Sequence, residues 1–435
     1  MNQWLTWLER IFTIGALMHF SEGVLPLILS GGVSEGDVDI IETSHPLNAG
    51  VFVLIYFITY VLLFLRWKKL IYTLSKNKFL WGLMAIVICS FSWSLYPANT
   101  LIESIRVIAS SSFGLYFATR YTLEEQLKIL STVFTIAVFT SIIFVVLPPH
   151  YGIMGGVHAG AWRGIYVHKN LFGLIMAMSS VVFLIQAIQT SQLRFKLLLP
   201  LTLLLILLSR STGALGVALV GITMFLFYYS YISLRLKLIV LLPVLLLLIT
   251  LVLGSGLWFV NNLETVASTT GEDLTLTGRT IFWQILVGMV FQRPLLGYGY
   301  KGFWYGLDGP SRDVIQVAMW AVPEAHNGFL EMALSTGIIG ISLFFCGYLI
   351  TMTRSIKWLH LNQSPFALWP MTFLNIMIVC NLTESSLMEF GFLWLLYSSI
   401  AFSLPLNLQS FQRRHRSKKI NKQFYRQENI SSSSG

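Results

Sequence analysis

The sequence predicts an all-α polytopic membrane protein with about twelve transmembrane helices, and two observations carry that reading. Hydrophobic residues make up 55% of the 435-residue chain and charged residues only 11%, far more apolar surface than a soluble domain of ordinary composition carries. Stretches such as LNAGVFVLIYFITYVLLFL, ILSTVFTIAVFTSIIFVVL and LKLIVLLPVLLLLITLVLGSGLWFV reach the roughly 20 residues needed to cross a ~30 Å hydrocarbon layer.

Spans are expected to start near residues 11, 47, 79, 101, 129, 171, 195, 213, 236, 328, 368 and 389. The first is interrupted by Ser21, Glu22 and Gly23, so it is read as either broken or interfacial. No short apolar region with a small-residue cleavage site precedes it, and no removable signal peptide is expected. Cys89, Cys346 and Cys380 fall within spans, where a free cysteine behaves as a small hydrophobe and implies no disulfide framework.

Orientation follows from lysine and arginine, which collect in cytoplasmic loops. RWKKLIYTLSKNK, Arg120 with Lys128, Arg194 with Lys196, Arg235 with Lys237, Arg354 with Lys357, and the tail RRHRSKKINKQFYR all fall on one side of a twelve-span chain. That side is read as cytoplasmic, with both termini inside. The protein is therefore placed in a cytoplasmic membrane, with its other face extracytoplasmic. GGVSEGDVDIIETSH, on that other face, has acids and no lysine or arginine. The net charge of +10 thus reflects topology and calls for no nucleic-acid partner. Residues 1–408 form the transmembrane domain, including a large extracytoplasmic loop over 260–326. Residues 409–435 read as a basic, disordered tail, for which anionic lipid is the most that composition suggests.

The outer face holds the candidate site. Its non-acidic polar groups are few: Arg163, His168 and Lys169 in HAGAWRGIYVHKNLFG, Arg210 in SRSTG, Arg279 in TLTGRTIFWQ, and His326 in PEAHNGFLE. Lys169, Arg210 and His326 stand at the amino-terminal ends of outside-to-inside spans. Thr277 is a plausible N-cap for GRTIFWQILVGMVFQ, a helix too short to span comfortably and stopped by RPLLGYG, hence interfacial. Four helix amino termini with nearby cations are unfavourable together unless an anion such as a phosphate or diphosphate sits among them, and a guanidinium binds such an anion in bidentate fashion. Snorkelling to headgroup phosphates is the bland alternative. It stays open for Arg163 and Arg312 and is weaker for Arg210, whose tight turn forces contact with other protein. Glu103 and Arg106, one turn apart, read as a local ion pair.

No Walker-type glycine loop and no HExxH metal spacing occurs, so neither a cofactor nor a metal is expected. Energy for chemistry at this face must arrive in the substrate. A sugar on a polyprenyl diphosphate fits: the diphosphate leaves at the membrane surface and the lipid tail lies among the spans. His326 is a suitable base for the acceptor hydroxyl, since a helix amino terminus disfavours the imidazolium, and Glu324, Asn327 or Glu331 would orient it.

At these residues the chain resembles a known family. WRGIYVHKNLFG, LTGRTIFWQ with RPLLGYGYKGFW, AHNGFLEMALSTGIIG and NLTES, in this order, look like the O-antigen ligase and O-antigen polymerase superfamily, closest to its exopolysaccharide polymerase branch. ESIRVIASSSFGLYFATR resembles the family's fourth-span region, and the likeness runs from about Glu103 to Glu384. The resemblance implies a bundle related to the GT-C glycosyltransferases, set in a bacterial inner membrane. It also implies metal-independent transfer from undecaprenyl diphosphate, with His326 as base, Arg210 and Arg279 on the diphosphate, and Arg163, His168 and Lys169 on donor or acceptor glycan. A flippase and a chain-length regulator are the implied protein partners. Polymerase and ligase, whose acceptors are another lipid-linked repeat and lipid A-core, stay open. A lipid-linked oligosaccharide flippase is the alternative of another class. Against it stand the absence of a detectable internal repeat, which many transporters show, and charges gathered at the rim instead of at mid-depth.

Overall fold

The structure is a computed structural model that describes residues 3–33, 45–234, 275–318 and 322–432, the side chains of 275–281 and 414–432 excepted. The span expected from 236 and the loop's first residues, 260–274, lie outside the described residues. The chain is helical wherever a span was expected within them: α1 (Gln3–Phe20), α2 (Leu25–Leu29), α3 (Pro46–Phe64), α4 (Trp67–Lys76), α5 (Lys78–Cys89), α6 (Pro97–Arg120), α7 (Leu123–Val146), α8 (Pro149–Gly152), α9 (Lys169–Thr190), α10 (Leu193–Leu208), α11 (Thr212–Ser233), α12 (Thr275–Gln292), α13 (Arg312–Ala318), α14 (Gly328–Leu361), α15 (Trp369–Cys380) and α16 (Phe392–Ser432).

Among the described residues, six of these helices are long and apolar enough to cross a membrane, or seven if the pair bent by 90° around Asn77 counts as one. That is fewer than about twelve: the stretch from 236 lies outside the described residues, and several expected spans are interrupted. The first stops at Phe20, where Glu22 and Val24 take left-handed backbone, and α5, α10 and α15 run only 12, 16 and 12 residues. The basic tail also departs from expectation. α16 continues to Ser432, because the run from 409 onward holds neither glycine nor proline until after the helix ends and is rich in lysine, arginine and glutamine, all good helix formers.

α9 lies at the centre, buried over 83% of its most apolar window, whereas α3 and α11 are buried over only 22% and present their apolar sides outward. α10 and α11 flank α9, and α6 packs along α16. The small residues Ala109, Ser110, Ser111, Ser112 and Gly114 let those two backbones approach closely, as membrane helices require when no water drives them together. Trp394 Nε1 donates to Ser111 Oγ across this seam at 2.9 Å. Gln126 ties α7 to α16 by donating to Ser403 Oγ at 2.7 Å and accepting from Ser399 Oγ at 3.1 Å.

α14 is broken at Gly337, whose φ is +61°. A break inside an apolar helix leaves unpaired N–H and C=O groups that hydrocarbon cannot satisfy. The segment after α12 satisfies them: Ile338 N donates to Pro294 O at 2.8 Å, Ile339 N to Leu295 O at 3.3 Å, and Tyr298 N to Leu334 O at 2.7 Å. A Cβ on Gly337 would lie 2.3 Å from Leu295 O, so only glycine fits. Behind this junction a second apolar core, including Phe282, Leu286, Phe303, Val314, Val322 and Leu334, seats the loop on α14.

The basic residues assemble at one end of the bundle. Glu9 takes Arg66 at 2.6 Å and Arg120 at 2.8 Å, Lys69 Nζ donates to Thr119 O at 3.0 Å, and Arg354 Nη1 donates to Asn77 Oδ1 at 2.8 Å. At the opposite end of α6, Glu103 and Arg106 form the expected local pair at 2.5 Å. Glu9 is 7% exposed, whereas Arg106 is 45% exposed, and the two pairs should differ accordingly. Glu9→Ala strands two half-buried guanidinium groups and is expected to cost about 3–5 kcal/mol; Glu103→Ala should cost less than about 1 kcal/mol. Thermal denaturation of the detergent-solubilised variants checks this. Equal melting points would remove Glu9 from the fold's supports.

Candidate functional site

The end of the bundle opposite Glu9 is built from three segments that meet at His326. Asn327 caps α14, its Oδ1 accepting from Phe329 N and Leu330 N at 3.1 Å each. This is standard for asparagine at an N-cap, and it leaves the preceding histidine free of capping duty. His326 itself sits at φ +47°, a left-handed conformation that costs a non-glycine residue of order 1–3 kcal/mol. Its Nδ1 lies 3.1 Å from Glu324 Oε1, without the alignment of a hydrogen bond.

The NLTES segment locks this turn. Gly328 N donates to Asn381 O and Glu384 O at 2.9 and 3.1 Å, and Asn327 N donates to Ser385 Oγ at 3.1 Å. A Cβ at Gly328 would lie 2.1 Å from Asn381 Oδ1, so the glycine of AHNG and the asparagine of NLTES fit only as a pair. Glu324, His326 and Glu384 thereby place one ligand atom each within 4.8 Å of one another, a set that has the donor chemistry for a divalent cation.

Glu331, one turn into α14, is 3% exposed and fully engaged. It accepts from Trp304 Nε1 at 2.9 and 3.0 Å and from Ala325 N at 3.0 Å. It therefore acts on His326 through the backbone of the 324–327 turn, whereas Glu324 touches the ring. The same turn receives α12: Trp283 Nε1 donates to Ala325 O at 2.8 Å. The helix is formed by Thr275, so Thr277 lies inside it and not at its cap. Arg279 stands one turn before Trp283 on this helix; its side chain lies outside the described residues.

On the other side, Asn170 Nδ2 donates to Glu384 Oε1 at 3.5 Å, and Lys169 Nζ donates to Arg210 O at 3.3 Å. These contacts run from the Arg210 turn to the His326 turn. Arg210, at φ +51°, is exposed, with one guanidinium donor on Ala159 O at 3.3 Å. His168 caps α9, its Nδ1 accepting from Asn170 N at 3.2 Å. Arg163 is placed apart from these groups. Its side chain is fully buried and donates to the backbone carbonyls of Tyr151, Val33, Val167, His150 and Gly32. Those carbonyls belong to segments far apart in sequence, so Arg163 gathers the loops and presents no charge to a ligand.

The sequence reading missed Lys301 and Glu389, paired at 2.5 Å with about a quarter of each side chain exposed. Burial opposes the lysine's charge, but Glu389 and Glu331 hold its pKa above the ordinary lysine range. Burial pushes Glu389 up to about 7 against the pull of Lys301, with Glu331 and Glu324 adding to the rise. The available signal was the rarity of charge: Lys301 lies inside RPLLGYGYKGFW, a segment already singled out, and Glu389 stands a few residues beyond NLTES.

Residues 195–345 match the family described as O-antigen ligase. An 88-residue stretch is 32% identical to the exopolysaccharide production protein ExoQ of Rhizobium meliloti (strain 1021), covering 20% of this chain and 20% of that protein. The chain thus matches about a fifth of the length of this curated relative. Both findings support the O-antigen ligase and polymerase superfamily, in its exopolysaccharide branch, as the family this chain resembles.

Arg163→Lys tests the placement of that residue. Lysine cannot reach five carbonyls, and each buried acceptor left unpaired costs about 1–3 kcal/mol. The variant should melt lower in detergent while what remains folded binds undecaprenyl diphosphate within a few-fold of wild type. Normal melting with lost binding would return Arg163 to the ligand site.

Proposed function

We propose that this membrane protein transfers glycan from a polyprenyl-diphosphate donor to an acceptor hydroxyl at the extracytoplasmic end of its helical bundle, polymerising repeat units of an exopolysaccharide. The observation that carries this reading is the meeting of the His326 turn, the Lys169–Arg210 contact and α12 at the end of the bundle opposite the basic cluster around Glu9. With that basic end cytoplasmic, both termini lie inside and the site faces out. The complete chain then has about twelve spans in a GT-C-like arrangement, including the apolar stretch from 236.

Glu324 at the His326 Nδ1 side favours the tautomer with its proton there, leaving Nε2 as the base. The acceptor O–H proton passes to Nε2 as the acceptor oxygen bonds the anomeric carbon. The bond from that carbon to the diphosphate oxygen breaks, and the diphosphate departs with the electron pair. Arg210 and Arg279 bind the developing charge through planar guanidinium forks. His168 and Lys169 position the glycan-binding wall, and Asn327 and Glu331 hold the His326 turn. The likeness to an exopolysaccharide production protein favours polymerisation; the family description favours a ligase as the second reading, with lipid A-core as acceptor.

His326→Ala should abolish transfer while donor affinity stays within a few-fold, because a base acts mainly in the transition state. Equal loss of donor binding would make His326 a ligand instead. Arg279→Lys and Arg210→Lys keep the charge and lose the fork, so each should lower kcat/KM roughly tenfold to a hundredfold, the equivalent of ~1.5–3 kcal/mol. Near-normal turnover in both would remove the clamp. We propose that the reaction needs no metal, so activity should survive EDTA. A loss restored by one divalent ion would give the Glu324–His326–Glu384 cluster to a cation.

A further inference from the structure

Lys301 and Glu389 have no role in the scheme above, yet the fold strains itself to bring them together. Lys301 takes φ +53°, and Met388, which directly precedes Glu389, takes φ +56°. Both are left-handed conformations that cost non-glycine residues of order 1–3 kcal/mol. Tyr300, fully embedded beside the pair, donates its hydroxyl to Met388 O, and Tyr300 N donates to Ser90 Oγ at 2.9 Å. The two strained segments are thereby fixed to each other and to the end of α5. The pair is not sealed off: 24% of the lysine side chain and 26% of the glutamate side chain stay exposed.

Its neighbours are mostly anionic. Glu331 and Glu324 both act electrostatically on Lys301, Glu331 is bound to Trp304 three residues along, and Glu324 touches His326. An anionic donor approaching His326 therefore meets carboxylates, and Lys301 is a cation that offsets them. Resting on the diphosphate reading of the site, we infer that Lys301 is a further donor-binding residue, and that Glu389 holds its ammonium in place until a diphosphate oxygen displaces the carboxylate. The exchange swaps one anionic partner of Lys301 for another, so the ammonium is never left bare. The displaced Glu389 carboxylate, partly open to solvent, takes up a proton from it, in keeping with a pKa pushed up to about 7, chiefly by burial.

The test uses the purified full chain in detergent and measures binding of undecaprenyl diphosphate, with phosphatidylglycerol as a parallel arm. Lys301→Ala should weaken undecaprenyl diphosphate at least tenfold and leave phosphatidylglycerol unchanged. Lys301→Arg should restore affinity to within a few-fold, and Glu389→Gln should bind as well as wild type or better, because the competing carboxylate is gone. If Lys301→Ala does not elute as folded protein, the double variant Lys301→Gln with Glu389→Gln removes both charges together and should show the same tenfold loss. Three results would overturn the inference: unchanged affinity without Lys301, an equal loss in Glu389→Gln, or an equal loss for phosphatidylglycerol. Absence of undecaprenyl diphosphate binding in wild type would instead defeat the diphosphate reading on which it rests.

Discussion

The site depends on the junction at Gly337, where one segment fills the gap in another. Hydrocarbon offers no partner for a free peptide group, so a membrane helix can break only where protein supplies the missing hydrogen bonds. Here Pro294 and Leu295 offer carbonyls to Ile338 and Ile339, and Tyr298 donates its N–H to Leu334. This exchange anchors the 293–304 segment to the amino-terminal half of α14. Lys301 and Trp304 are then carried to their places, and Trp304 reaches Glu331. Glu331 in turn holds Ala325 N, and the 324–327 turn presents His326. The 293–304 segment is in this way held as a rigid wall, the support that a reacting group needs if it is to be held in one geometry.

Much of the architecture was legible because apolar length and the placement of lysine and arginine obey the bilayer directly. Arg66 and Arg120, grouped on one side from the sequence, meet on Glu9. His326 and NLTES were visible as polar motifs in an apolar chain, and the fold joins them backbone to backbone. What was not legible depends on contacts between distant segments. Arg163 has the appearance of a surface cation until Gly32, Val33, His150 and Tyr151 are seen to close over it. The bend before α5 arises from a backbone turn at Asn77, which an apolar average over some 20 residues conceals, whereas the stop of α1 falls where Ser21, Glu22 and Gly23 interrupt the apolar run.

The charge balance at the His326 end also differs from a purely cationic reading. Glu324, Glu331, Glu384 and Glu389 stand around the His326 turn, while Lys169 and Arg210 stand across from it. In this account the carboxylates, an asparagine and a tryptophan suit the hydroxyls and ring faces of a sugar, while Arg210 and Arg279, joined by the Lys301 ammonium that offsets those carboxylates, suit a diphosphate. Glu384, touched by Asn170 and grouped with His326, joins the His326 turn to the start of α9.

The central claim is that this arrangement performs lipid-linked glycan transfer, and one assay reads it directly. Purified protein, reconstituted with a single undecaprenyl-diphosphate-linked repeat unit, would be followed by gel separation of the glycan products. The account predicts a ladder of lengthening glycans with release of undecaprenyl diphosphate. An unchanged donor, or donor that crosses the liposome membrane with its glycan still attached, would contradict it.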